Sequence, residues 1–292
     1  MDRQFDRGVE DLGNIVGLEH VNLLVPDQRL ATLFYVVGLG LTRDPYLMTG
    51  VTNMWVNIGR SQFHLPTGEP QVLRGVCGLV LPDREALLRR LERVREPLAG
   101  TRFGYQAKND YVEATSPWGN RVRCHQPEAR FGRVLLGMPY VEFDVPKGTA
   151  QGIARFYREI LETTANVSKE GGAEAAHVMV GQNQELIYRE SSAALAEYDG
   201  HHLQIYITNF SRPHARLKER GLVSEESDQY QYRFKNIVDP ESNKPLFTIE
   251  HEVRSVTHPL YARPLVNRNP EQSNMMFAGG HEAQPYNMPY GA

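Results

Sequence analysis

Cysteine is scarce in this chain: Cys77 and Cys124 are the two among 292 residues. That is too few for a disulfide framework or for a zinc site built from thiolates. Long apolar runs are absent as well, and nothing approaches the roughly 20 consecutive residues a membrane helix needs. The opening stretch MDRQFDRGVEDLG is charged and has no apolar centre of the kind a secretory signal carries. A soluble, cytoplasmic protein is therefore expected, with no membrane association. A large excess of charge of either sign is missing too. A formal net charge of -3 supplies no basic field to attract nucleic acid or anionic lipid. The partner these absences leave is a small molecule, and a homo-oligomer stays open.

What is present is a repeat. Hydrophobic residues make up 41% and charged residues 23%, a globular balance that excludes disorder of the whole chain. The segment LEHVNLLVPDQRLATLFYVVGLGL, from Leu18, reads as a strand, a Pro-Asp turn, an amphipathic helix and a glycine-broken exit. YVEFDVPKGTAQGIARFYREILETT, from Tyr140, repeats it with Val-Pro at the strand end and Phe-Tyr in the helix. GLVLPDREALLRRLERV from Gly78 and HLQIYITNFSRPHARLKERG from His202 are shorter cousins. Short strand candidates follow each helix, among them TNMWVNIG and SQFHLP, YVEATSP and NRVRCH, HVMVG and ELIYRE, and YQYRFKNIVD and LFTIEHE. The order βαβββ, four times over, predicts an α+β protein. Its expected parts are an N-terminal pair of modules over residues 14–130, a C-terminal pair over 131–266 and a polar tail over 267–292. The tail is rich in Asn, Pro, Gly and Gln and reads as loosely ordered. The alternative is an arm that uses Met275, Met276, Phe277 and Tyr286 to cover a subunit or a site.

LEHVNLLVPD followed by FYVVGLGL resembles the opening of a module of the vicinal-oxygen-chelate superfamily, which includes glyoxalases, bleomycin-resistance proteins and extradiol dioxygenases. The resemblance runs from about Leu18 to Val253. It implies two eight-stranded, cup-like sheets with helices outside. It also implies a divalent metal in a cup made by two paired modules, with Fe(II) favoured and Mn, Ni or Zn as alternatives. Ligands are expected on the first strand of a module, usually His, and on its last strand, usually Glu.

Carried over by position, His20 takes the first-strand place of the first module and His64 its last-strand place, where Glu is usual. In the second module the places fall on Gly78 and Arg123, neither of them a ligand. Tyr140 takes the first-strand place of the third module, with Glu142 on the same face and Ile187 near its last-strand place. His202 and Glu250 take the two places of the fourth. The implied metal set is His20, His64, His202 and Glu250, provided that the first module pairs with the fourth. Pairing in sequence order would instead give His202 and Glu250 a partner from Tyr140 or Glu142. Tyr140, Glu142 and Arg123 are the candidates for substrate contact, Arg123 toward an anion. Tyr140 and Arg123 each have an ordinary counterpart, a core aromatic and a strand-edge charge, and for Glu250 it is a buried ion pair. His125 and His177 fit strand faces and read as structural.

The implied activity is metal-dependent chemistry on a small oxygenated molecule through bidentate chelation, dioxygenase-like. Two alternatives stand beside it: a glyoxalase- or epimerase-like isomerase or lyase, and a resistance-type protein that only binds. The chain departs from extradiol enzymes in one respect. In YQYRFKNIVDPESNKPLFTIE, Asn236 stands where a Tyr is expected and no His precedes it.

Overall fold

The structure is a computed structural model, and it describes residues 5–47 and 50–268. Most of the expected tail, with Met275, Met276, Phe277 and Tyr286, lies outside the described residues. At its start, Asn267 is buried and exchanges two hydrogen bonds with the backbone of Gly59, at 2.9 and 3.0 Å.

Four βαβββ modules follow one another. The first comprises β1 (Ile15–Asn22), α1 (Gln28–Ala31), β2 (Thr42–Arg43), β3 (Asn53–Ile58) and β4 (Ser61–Pro66). The second comprises β5 (Gly75–Val80), α2 (Arg84–Arg93), β6 (Gly104–Ala107), β7 (Val112–Thr115) and β8 (Arg121–His125). In the third, β9 (Gly137–Pro146) leads through α3 (Ala150–Glu159) to β10 (Ala165–Glu170), β11 (Ala173–Gly181) and β12 (Gln184–Ser191). In the fourth, β13 (His202–Ile207) leads through α4 (Ser211–Glu219) to β14 (Val223–Asp228), β15 (Gln231–Val238) and β16 (Pro245–Ser255).

The Pro-Asp turns start helices for a simple reason. The Asp27 carboxylate accepts from the amides of Arg29 and Leu30, and Asp83 accepts from Ala86, which satisfies donors the first helical turn leaves open. The first helix does not stay α-helical. Over Thr32–Gly38 it widens into a π-type turn, with the Leu39 amide reaching back to the Phe34 carbonyl.

The strands form two sheets of eight. The first has the order β14-β15-β16-β13-β1-β4-β3-β2, and the second β10-β11-β12-β9-β5-β8-β7-β6. Module one therefore shares a sheet with module four, and module two with module three. By compactness the chain divides into two units, one of Met1–Leu18, Val145–Ala193 and Ile205–Tyr261 and the other of Glu19–Asp144, Ala194–Gln204 and Ala262–Ala292, with the lines between them falling inside β1, β9 and β13.

Alternation along the strands separates two faces. In module four, Tyr232, Phe234, Ile249, His251 and Val253 are buried on one face, with Phe156 and Tyr157 of α3 against Phe234 and His251. Between them His251 Nδ1–H donates to the Ile249 carbonyl and its Nε2 accepts from Tyr157, which is itself bonded to Tyr188. Burial pushes the His251 imidazole down to about 3, so it sits there neutral. The opposite face carries Gln231, Arg233 and Lys235 on β15, and Glu250, Glu252 and Arg254 on β16. Arg233 lies directly across from Glu252. Among the described residues, no helix is long and apolar enough to cross a membrane.

Candidate metal centre

Strands β16, β13, β1 and β4 are consecutive in the first sheet, and each sends a polar side chain to the same face. His20 of β1 is 1% exposed, and its ring centroid lies 6.0 Å from that of His202 and 5.6 Å from that of His64. His20, His202 and Glu252 each offer one ligand atom, and those atoms all lie within 4.8 Å of one another. Two imidazoles and one carboxylate at this spacing can hold a divalent cation and leave further coordination positions open.

The tautomer of His20 suits that task. Glu19 stands 3.3 Å from Nδ1, so a carboxylate acceptor faces that nitrogen and favours the tautomer in which Nε2 is the donor atom for a metal. Among the described residues, His20 Nε2 is buried without a hydrogen-bond partner. An orphaned imidazole nitrogen, its ring oriented by a carboxylate on the other nitrogen, is what a metal-ligating histidine offers. The donor set therefore fits a divalent metal.

Glu250 takes a different place from the one its motif implied. Its carboxylate meets Arg233 Nη1 at 2.7 Å and Lys235 Nζ at 3.5 Å, while Glu252, two residues on and on the same face, joins the histidines. Residues i and i+2 share a face; Glu252 lies in the regular ladder across from Arg233, while Glu250 lies where the β15–β16 register shifts, between Phe234 and Asn236. Glu252 is 3% exposed and also receives Arg233 and Arg254, the latter at 2.7 Å. Arg254 Nε donates to Gln231 at 2.9 Å. Burial works against the Arg233 charge, but Glu252, Glu250 and Glu225 outweigh it and hold its pKa above the ordinary value.

His64 is brought beside His20 but is engaged elsewhere. Its ring stacks on Trp55 at 3.7 Å, and Nε2 lies 2.8 Å from Asn53 Oδ1. The β3–β4 hairpin, turning at Gly59 and Arg60, sets Trp55 directly opposite His64 and produces this stack. Trp55 also meets the edge of His20 at 5.0 Å, so indole and imidazoles form one aromatic wall.

The remaining candidates belong to the second sheet. There Gly78, between Arg123 on β8 and Tyr140 on β9, holds the place that His20 holds in the first. Without a side chain at Gly78, the Tyr140 ring lies over the strand: a Cβ added at Gly78 would come within 2.2 Å of it. Tyr140 Oη bonds to His125 Nε2 at 2.9 Å, and Arg130 lies 3.0 Å from His125 Nδ1. Arg123 sits between Glu113 at 3.6 Å and Glu142 at 3.4 Å. Burial pushes the Tyr140 phenol up to about 12, so it remains protonated. Tyr140, Glu142 and Arg123 thus belong to an internal polar cluster in the second sheet, and none of them is among the grouped ligands His20, His202 and Glu252.

Sequence reasoning passed over Glu252, Glu19, Arg233, Arg254 and Gln204. For Gln204 a signal existed. In HLQIYI, apolar Leu203 and Ile205 alternate with His202 and Gln204, so the amide shares the ligand's face. A small cleft lined by Gly40, Thr42, Asn57, Asp83 and Arg90 contains none of the clustered ligands.

Compared with solved structures, the chain is similar to a candidate dioxygenase from Bacillus subtilis subsp. subtilis str. 168, with a TM-score of 0.52. The two share 14% identity over 83% of this chain and 86% of that one. It is also similar to glyoxalase I from Zea mays, with a TM-score of 0.55 and 13% identity over 86% of this chain and 95% of that one. The chain has the vicinal-oxygen-chelate fold. No family model matches the sequence. No curated protein matches it either. The likeness is one of fold.

Proposed function

We propose that His20, His202 and Glu252 hold one divalent metal, and that the protein is a metal-dependent enzyme acting on a small oxygenated molecule by bidentate chelation. The observation that carries this reading is the convergence of the three ligand atoms within 4.8 Å on one face of the first sheet. The orphaned Nε2 of His20 supports it. Two histidines and a carboxylate suit Fe(II) and dioxygenase-like chemistry, and Mn, Ni or Zn at the same ligands would serve an isomerase or lyase. When bound, such a metal polarises the substrate's chelating oxygens.

The chain's own residues do the rest. Glu19 fixes the His20 tautomer, and the Trp55–His64 stack walls the face. Arg233 and Arg254 sit against the ligand carboxylate and orient it. The two fold relatives carry a dioxygenase name and a glyoxalase name, the two chemistries in question.

A second reading has one observation in its favour. Glu252 already meets two guanidiniums, so a metal-free face that binds a ligand through ion pairs is the competitor. Elemental analysis of protein purified without added metal separates the two. About one equivalent of a transition metal, lost in both His20→Ala and His202→Ala, is the expected result. Wild-type protein that takes up none of Fe, Mn, Ni or Zn leaves the binding protein. Oxygen consumption on candidate substrates then separates a dioxygenase from an isomerase.

A further inference from the structure

Gln204 stands two residues after His202 on β13 and therefore points to the same face of the sheet. It is 0% exposed, and among the described residues neither its Oε1 nor its Nε2 has a hydrogen-bond partner. A fully buried primary amide with both ends unpartnered is costly, and such groups are rare where nothing is meant to meet them. Leu203 and Ile205, its neighbours in sequence, are buried on the opposite face, so the packing of that face does not call for an amide at 204. What the amide offers is one acceptor and two donor hydrogens, side by side and within one strand step of a ligand histidine.

We infer that Gln204 is a substrate-binding residue that selects for a hydrogen-bond donor next to the chelating oxygens. The inference rests on the proposed metal site and deepens it by naming a substrate class. That class is a small carbonyl compound whose neighbouring hydroxyl or N–H donates to Gln204 Oε1, while one of its oxygens accepts from Nε2. A plain dicarbonyl or dicarboxylate satisfies the Nε2 end alone. Arg254, buried at the same carboxylate and bonded to Gln231, adds positive charge that favours an anionic form of such a ligand.

Acetohydroxamate is a probe of this class, since it has two vicinal oxygens and an N–H between them. Oxalate is the control, with vicinal oxygens and no donor hydrogen. The full chain is loaded with Zn(II), metal content is measured, and both probes are titrated by calorimetry into wild type, Gln204→Leu and Gln204→Met. With metal content unchanged, acetohydroxamate should weaken by about tenfold or more in both variants, the scale of one or two lost hydrogen bonds in a dry site. Oxalate should weaken less. Melting temperatures should hold or rise, because an unpartnered buried amide has been replaced by an apolar group.

Acetohydroxamate affinity within about twofold of wild type, with full metal, overturns the assignment of Gln204 and leaves the metal site standing. Equal losses for the two probes overturn the donor class. A loss in Leu that Met does not share assigns the effect to packing and also overturns it. A wild-type chain that holds no metal is a different failure: it removes the metal site itself, and this inference with it.

Discussion

Glu250 and Glu252 are two residues apart on one strand face, yet their surroundings call for opposite outcomes when each is removed. The Glu252 side chain is 4% exposed, between Arg254 at 10% and Arg233 at 20%. Glu252→Ala removes the nearly buried carboxylate that Arg254 and Arg233 both face, which costs about 3–5 kcal/mol. At roughly 2–4 °C per kcal/mol for a chain of this order, the melting temperature should fall by about 6–20 °C. The same change removes the one carboxylate of the ligand cluster, so metal content should collapse. Glu250→Ala is milder. Arg233 keeps Glu252 and Glu225, and Lys235 is half exposed, so the loss is about 1 kcal/mol and metal content should stay whole. Glu252→Gln keeps the shape without the charge and should retain more of the melting temperature than of the metal. Stoichiometry by elemental analysis and melting by calorimetry, on the same samples, make the comparison. If Glu250→Ala loses the metal and Glu252→Ala keeps it, the register argument is refuted by two residues. If both keep it, the cluster is not a metal site.

Tyr157→Phe removes the donor to His251 Nε2 and a partner of Tyr188 inside the core, and should cost about 1–3 kcal/mol in chemical denaturation. Equal stability of Tyr157→Phe and wild type would mean that the buried chain of hydroxyls and imidazole contributes nothing. Asp44 is fully buried; burial raises its carboxyl, but amide bonds from Leu47 and Tyr46 and the Arg263 guanidinium outweigh that and hold its pKa below 3.8. A carboxylate depressed in the folded state contributes stability above its unfolded pKa and loses it as pH falls through the folded one. Asp44→Asn should therefore flatten the stability loss below about pH 4, and parallel acid limbs would contradict this. Gly78→Ala should push Tyr140 off the strand, break its bond to His125 and cost about 1–3 kcal/mol, visible as a lower melting temperature with metal content unchanged.

The four modules were legible because each announces itself locally, by an alternating strand, a Pro-Asp cap and a helix of different period. His20 and His202 were legible for the same reason, as the first-strand histidines of two such modules. The choice between Glu250 and Glu252 was not, because alternation assigns both to one face and depth depends on pairing with β15. The engagement of His64 with Trp55 follows from the tight hairpin at Gly59, which sets position 55 against 64. A motif that places His64 as a ligand does not register that partner. Gln204 was visible in the alternation, but an amide has no metal motif to attract notice, and only its complete burial gives it meaning.

Because the first sheet joins the first module to the fourth, β1 cannot find β13 until the two middle modules have been traversed. Those two meet each other directly, and β5 and β9 can pair as soon as both exist. The second sheet thus closes over a short loop and the first over a very long one, a difference that slows non-local strand pairing. Until it closes, β1 is a bare sheet edge that carries His20 with its lone pair uncovered, open to any stray strand that arrives first. A chain cut before His202 should therefore aggregate through β1, where one cut after Ser255 should not.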